Sequence, residues 1–282
     1  MLYYYQPIKQ GDIVVSIDNV ILDTSITRPD RQNLLDIELQ MMTDGNKVEV
    51  TSWKSSKPGT YRDQTLIRFD QDRAFWLGRG LNGQGVLEDR CRLDFNPNKV
   101  AMEQNFQTIR EFLIRNSRGC LTRIPRFDLA IDIPIEREHC FLVKDRRMYI
   151  ERRHGKEFTQ YLGSKSSTVG RVKLYNKQAQ AKLAFPLTRL ELTLDPSKSY
   201  EEINFPQVYC LKTSKVSADD LRVTETERFI LNAILQGYGS LDDLGRKFRR
   251  KIDLLIQDYV YQIAITADLY EKVLCKVNAY CD

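Results

Sequence analysis

The sequence predicts an α+β fold: an antiparallel central sheet with helices on one face, plus a smaller, mainly helical C-terminal region. Three observations predict it. Strict two-residue alternation at 126–133, 171–177 and 188–194 sends successive side chains to opposite faces of a strand. Apolar residues recur at helical spacing behind Asn96-Pro97-Asn98 and again beyond residue 224. With 282 residues, 42% of them hydrophobic and 29% charged, the chain has material for one substantial core and is too polar for a membrane protein.

Taken in order, residues 13–26 are β-branched and poor in helix formers, which predicts a strand. Further strands are expected at 65–77 and 86–95, with the glycine-rich stretch Gly78 to Gly85 as a hairpin or surface loop between them. No Gly-Lys-Ser/Thr closes that stretch, so it is not a phosphate-cradling loop. Asn96-Pro97-Asn98 opens a helix whose Val100, Phe106, Ile109, Phe112 and Leu113 keep helical spacing to about Arg115. In 126–133 the odd-numbered residues are apolar, while Arg126, Asp128, Ala130 and Asp132 share the other face. Arg171, Lys173, Tyr175 and Lys177 lie together on the next such strand; on the last, Leu190, Leu192 and Leu194 face a core and Arg189, Glu191 and Thr193 face away. A polar stretch from Ser197 to Leu221 follows, broken by Val208 to Leu211. Thr224 to Glu227 is a capping box for a helix ended by Gly237, and Ser240 is the expected cap of the next. That helix has an apolar stripe of Leu241, Leu244, Phe248, Ile252, Leu255 and Tyr259, opposite a face bearing Arg246, Lys247, Arg249, Arg250 and Lys251. Residues 263–280 are expected to continue as helix. A boundary between a first domain, 1–200, and a smaller, mainly helical region, 201–282, falls behind Pro196.

Several function classes drop out. No run of about 18 uncharged apolar residues occurs, and Tyr3, Tyr4 and Tyr5 stand where a signal peptide needs a basic and then an apolar segment, so a cytoplasmic protein is expected. Six cysteines without a CxxC pair give neither a disulfide framework nor a thiolate zinc site, and two histidines leave any divalent ion to carboxylates. The net charge of +5 is modest, but cations cluster at 146–147, 151–154, 171–177 and 246–251, which favours a polyanionic partner such as nucleic acid.

If the three alternating strands are neighbours, their polar faces bring together Asp128, Asp132, Glu191, Tyr175, Lys173, Lys177, Arg126, Arg171 and Arg189. Asp128 and Asp132, four residues apart, project about 13 Å from each other, so either one with Glu191 is the easier pair for Mg²⁺ or Mn²⁺. A tyrosine amid cations is a plausible nucleophile, because nearby positive charge favours the phenolate. The alternative is that the charges simply pair across the sheet, Arg126 with Glu191 and Arg189 with Asp128, and do no chemistry.

Four segments in order, Cys91 to Lys99, Arg126 to Asp132, Gln160 to Ser167 leading into Arg171 to Lys177, and Thr188 to Leu192, resemble the Rep-trans type of rolling-circle replication initiators, relatives of certain conjugative-element relaxases. Leu244 to Lys251 resembles the family's C-terminal region. The resemblance implies that Tyr175 is the DNA-cleaving nucleophile and that Asp128, Asp132 and Glu191 serve metal and general-base roles. Asp18 occupies a place where the family often has an aspartate, and the resemblance makes it a further candidate metal ligand. It implies a metal-dependent nickase acting on origin DNA, duplex and single-stranded, with a 5′-phosphotyrosine intermediate, and by analogy a dimer and a host helicase. Lys173 and Lys177 would assist the nucleophile. Arg126, Arg171, Arg189 and the cluster Arg246, Lys247, Arg249, Arg250 and Lys251 would hold DNA. The alternatives are a relaxase or phage initiator of the same chemistry, and a non-catalytic DNA-binding regulator.

Overall fold

The computed structural model describes residues 8–10, 13–43, 48–83, 90–117, 122–155, 157–164, 169–211 and 223–281. The first half of the chain runs β1 (Ile8–Gln10), β2 (Ile13–Ser25), α1 (Arg28–Thr43), β3 (Glu49–Lys54), β4 (Tyr61–Arg68), β5 (Ala74–Leu81), β6 (Arg90–Phe95), α2 (Pro97–Val100), α3 (Gln104–Arg115) and β7 (Arg123–Ile133). It continues with β8 (Cys140–Leu142), β9 (Tyr149–His154), β10 (Glu157–Leu162), β11 (Val172–Asn176), α4 (Lys177–Ala181), β12 (Thr188–Leu194), β13 (Val208–Leu211), α5 (Glu225–Leu235), α6 (Arg246–Tyr259), β14 (Val260–Gln262) and α7 (Ala267–Asn278).

An eleven-stranded sheet in the order β3-β4-β5-β6-β2-β7-β12-β11-β10-β9, with β1 on β2, forms the body. Every pairing is antiparallel. The three alternating segments are adjacent strands at its centre: Asp132 pairs with Arg189, Ala130 with Glu191, and Glu191 in turn with Lys173. Their apolar residues Phe127, Leu129, Ile131, Ile133, Val172, Leu174, Leu190, Leu192 and Leu194 are all buried. Helices α1, α3 and α7 cover that face with Leu34, Met41, Phe106, Ile109, Leu113, Leu269, Tyr270, Val273 and Val277, completing the expected α+β architecture. Each fully buried aliphatic side chain contributes about 1.5–3 kcal/mol against leaving it in water, which fixes the face on which the polar residues must stand.

A second sheet, β14-β13-β8, carries a smaller cluster in which Leu231, Leu235 and Ile252 of α5 and α6 pack on Phe141, Leu211 and Val260. The residues beyond 201 thus feed both clusters, since α7 belongs to the main one.

Local outcomes differ from expectation in instructive ways. The single strand expected at 65–77 is two, β4 and β5, parted by a turn in which the Asp70 carboxylate accepts from the Asp72 and Arg73 amides. Gly78 to Leu81 belong to β5 rather than to a loop; a Cβ on Gly78 would collide with the Trp76 and Tyr61 rings, so glycine is needed there. The helix behind Pro97 breaks after Val100 into α2 and α3, and the capped turn at Ser240 is a short 3₁₀ segment, with α6 starting only at Arg246. Phe248, expected in the apolar stripe, is 42% exposed. The Thr224 capping box is present, with Thr224 Oγ1 accepting from the Glu227 amide and the Glu227 carboxylate from the Thr224 amide. Among the described residues no helix is long and apolar enough to cross a membrane, and the cysteines are free thiols, three of them buried.

Candidate active site

The polar face of β7, β12 and β11 is where the chemistry-bearing residues meet. Parity does the positioning: with Leu174, Leu190 and Leu192 committed to the core, Lys173, Tyr175, Arg189 and Glu191 must point the other way. The Tyr175 hydroxyl donates to Glu191 Oε1 at 2.5 Å, and Lys173 Nζ donates to Glu191 Oε2 at 3.1 Å. Lys173 Nζ also lies 3.7 Å from the centroid of the Tyr175 ring, and Lys177 Nζ 6.0 Å from it. Tyr175 is only 5% exposed.

These surroundings reverse one expectation. Burial, and then the Glu191 carboxylate beside it, push the Tyr175 phenol far above its ordinary range; the nearby Arg189 cation opposes them and loses. The resting tyrosine is a neutral phenol with its proton on a carboxylate bond, not a phenolate. Lys177 moves the other way: burial and Arg189 lower its ammonium below the ordinary lysine value.

Asp18 reaches the face through a β-bulge. The β2–β7 register pairs Ile17 with Leu129 and Asn19 with Asp128, leaving Asp18 as the extra residue. Asn96 Nδ2 donates to Asp18 Oδ1 at 3.1 Å, and Asn98 Nδ2 to the Ile17 carbonyl at 2.7 Å, so the Asn-Pro-Asn turn secures the bulge. The sequence marks both asparagines through the turn that opens a helix and through the family-like segment Cys91 to Lys99, and gives neither a role of its own.

Arg189, expected to hold phosphate, is itself held within the face: its guanidinium donates from Nε and Nη2 to the two Asp132 oxygens at 2.6 and 2.7 Å and from Nη1 to Asp18 at 2.9 Å. The cross-strand pairing with Asp128 does not form; register places Asp128 opposite Thr193. Asp128 Oδ1 is buried without a hydrogen-bond partner, and burial raises that carboxyl above the ordinary carboxylate range.

The expected Mg²⁺ or Mn²⁺ ligands therefore do not fit an ion cage in this arrangement. Asp18 Oδ1 and both Asp132 oxygens are turned onto Arg189 and both Glu191 oxygens onto Lys173 and Tyr175, which leaves Asp128 Oδ1 and Asp18 Oδ2 without a hydrogen bond among the described residues. Among the described residues no three His, Cys, Asp or Glu side chains gather as a ligand set.

Beside the network lies a groove of about 460 Å³ lined by Val14, Ser16, Asn98, Lys99, Met102, Asp132 and Arg189, large enough for a nucleotide-sized group. Arg126 and Arg171 lie toward the other end of the same face. The cluster Arg246 to Lys251 sits on α6, where Arg249 Nη2 pairs with Asp242 Oδ1 at 2.9 Å and Lys251 with Glu227.

No family model matches this chain, and no curated protein matches it. Among solved structures it is similar to a rolling circle replication initiator protein from Geobacillus stearothermophilus, at 13% identity over 95% of this chain and 97% of that one, with a TM-score of 0.38.

Proposed function

We propose that this protein is a DNA-nicking and strand-transfer enzyme that initiates rolling-circle replication, with Tyr175 as nucleophile. The observation that supports it is the 2.5 Å bond from the Tyr175 hydroxyl to Glu191, in a cationic surround on the polar face of the sheet. Such a pair is a nucleophile already bonded to its base. As the phenol oxygen attacks phosphorus, its proton passes to Glu191 Oε1, so the energetically costly free phenolate never has to form. A Tyr–O–P bond forms, the bond from phosphorus to the 3′ oxygen breaks, and the departing oxygen takes a proton to become the 3′-OH. Lys177, its ammonium pKa lowered, is suited to donate that proton. The 5′-phosphotyrosine keeps the bond energy, so strand closing by the reverse attack needs no nucleotide hydrolysis. No step here is routed through a divalent ion.

Arg189, fixed by Asp132 and Asp18, serves as a fixed positive charge near the phosphoryl oxygens. The basic surface of α6 supplies duplex affinity in this reading. The paired charges also favour a second reading, a DNA-binding regulator in which these bonds only hold the face together. Incubating the protein with a supercoiled origin plasmid and mapping any covalent peptide separates the two. The enzyme yields an open circle linked through Tyr175; Tyr175→Phe binds the same DNA and forms no adduct. An adduct in Tyr175→Phe, or one mapping elsewhere, overturns the assignment.

A further inference from the structure

The same polar face continues past Tyr175 to the sheet edge. Tyr161 of β10 pairs with Lys173, and Lys173 with Glu191, so the Tyr161 ring stands in line with the catalytic carboxylate two strands away, about 10 Å at ordinary strand spacing. Two arginines converge on that ring: Arg171 with its guanidinium carbon 5.1 Å from the centroid, and Arg152 of β9 at 5.9 Å.

What separates these two from their neighbours is how their charge is met. Arg147 is held by Asp145, Arg153 by Glu151 and Arg189 by Asp132 and Asp18. Among the described residues neither Arg152 nor Arg171 has a carboxylate partner, the buried Arg171 Nε has no hydrogen-bond acceptor, and the Tyr161 hydroxyl has no protein partner. A partly exposed aromatic ring flanked by two uncompensated guanidinium groups has the elements of a single-strand site, a stacking surface with cations for the backbone.

We propose that Tyr161, Arg152 and Arg171 form a single-stranded DNA subsite that holds the nucleotides flanking the scissile phosphate, with a base stacked on Tyr161 and phosphates on the two arginines. This rests on the reading of Tyr175 as nucleophile for its place in the reaction, but not for its ability to bind. A strand laid across β12, β11 and β10 would run perpendicular to the strands, from Glu191 to Tyr161, and be anchored on one side of the bond to be cut.

The test is fluorescence anisotropy of a labelled oligothymidylate, at several salt concentrations, on the full chain. Tyr161→Leu should weaken binding roughly 5- to 100-fold, the range of one lost base–aromatic stack, and Tyr161→Phe should bind as wild type. Arg152→Gln with Arg171→Gln should flatten the logarithmic salt slope by about 1.4, two single-strand phosphate contacts at ~0.7 each. Wild-type affinity in Tyr161→Leu, or a loss in Tyr161→Phe equal to that in Tyr161→Leu, overturns the stacking role. An unchanged salt slope overturns the arginine contacts. Thermal melting of each variant shows whether a loss of binding is a loss of fold, and the Phe variant reports in either case. A binding loss in Tyr161→Leu together with no adduct at Tyr175 in wild type would leave this subsite standing and remove the nicking reading instead.

Discussion

Replacing Glu191 by glutamine isolates the proton-transfer step. Gln is isosteric and Glu191 faces away from the core, so the sheet should remain intact, while the acceptor of the 2.5 Å bond loses its charge and its basicity. A charge-assisted hydrogen bond is worth about 1.5–3 kcal/mol, which alone sets a loss of roughly tenfold to a hundredfold in rate. Loss of the general base adds to it, and the expected total is a ~10²- to 10⁴-fold slower first turnover. The variant also removes the anion that helps hold the phenol up, so the Tyr175 pKa should fall toward its ordinary value. The rate in Glu191→Gln should therefore climb about tenfold per pH unit until the phenol ionises, since the hydroxyl must now lose its proton to solvent. Rapid-quench measurement of the protein–oligonucleotide adduct from pH 6 to 10, with tyrosinate absorbance followed in parallel, reads both effects. A variant rate within threefold of wild type at pH 7, or a slow rate that does not rise with pH, would refute Glu191 as the base.

Three further outcomes follow from the geometry. Arg249→Ala with Arg250→Ala should weaken duplex binding and flatten its salt slope by about 0.9 per lost phosphate contact, with the smaller share from Arg249, which is already paired with Asp242; single-strand cleavage should survive, and an unchanged slope in a duplex titration would remove α6 from the DNA surface. Mn²⁺ followed by isothermal titration should bind weakly, because Asp132 and Asp18 Oδ1 are tied to Arg189 and Glu191 to Lys173 and Tyr175; tight binding that survives Asp128→Asn would show that the carboxylates rearrange around the ion. Stability should fall in alkali: Tyr175 is raised in the folded state, so above pH ~10 the unfolded chain gives up that proton while the folded one keeps it, and the loss continues as pH rises through the folded value. Tyr61 and Tyr149, each raised to about 12, act with the same sign in both proteins, whereas only wild type carries the Tyr175 share, so in urea melts wild type should lose more stability than Tyr175→Phe as pH rises from 9 to 11; parallel curves would contradict the burial of that phenol.

The central sheet was legible because β7, β11 and β12 are half-buried and alternate cleanly, and the same parity put Lys173, Tyr175 and Glu191 on one face before any pairing was known. Helix α1 was not legible. Its buried Glu38 bonds with Arg79 of β5, 41 residues away, and an acidic residue on a core-facing position hides the helical period. The edge strands β3 and β9 were missed since most of their residues are exposed on both faces, which erases alternation. At the site, pattern could place Arg189 among the cations but not marry it to Asp132, because cross-strand register depends on turns that the strand itself does not encode. Asp18 required a bulge, a one-residue irregularity with no compositional mark.

The chain leaves the small sheet at Leu211 and returns to it at Val260, on the strand hydrogen-bonded beside the one it left. Helices α5 and α6 are a handle fastened to one plate at both of its arms, α5 through Leu231 and Leu235 packed on the sheet and α6 by running directly into β14, and that plate is tied by β8 to the segment directly following β7. A tethered module fastened at one end samples many positions; a handle fastened at both keeps its span. If the duplex sits on α6 and the cut is made at Tyr175, the interval between the gripped base pairs and the nicked bond is set by the protein as by a fixed gauge. An origin would then be measured in length as well as read in sequence.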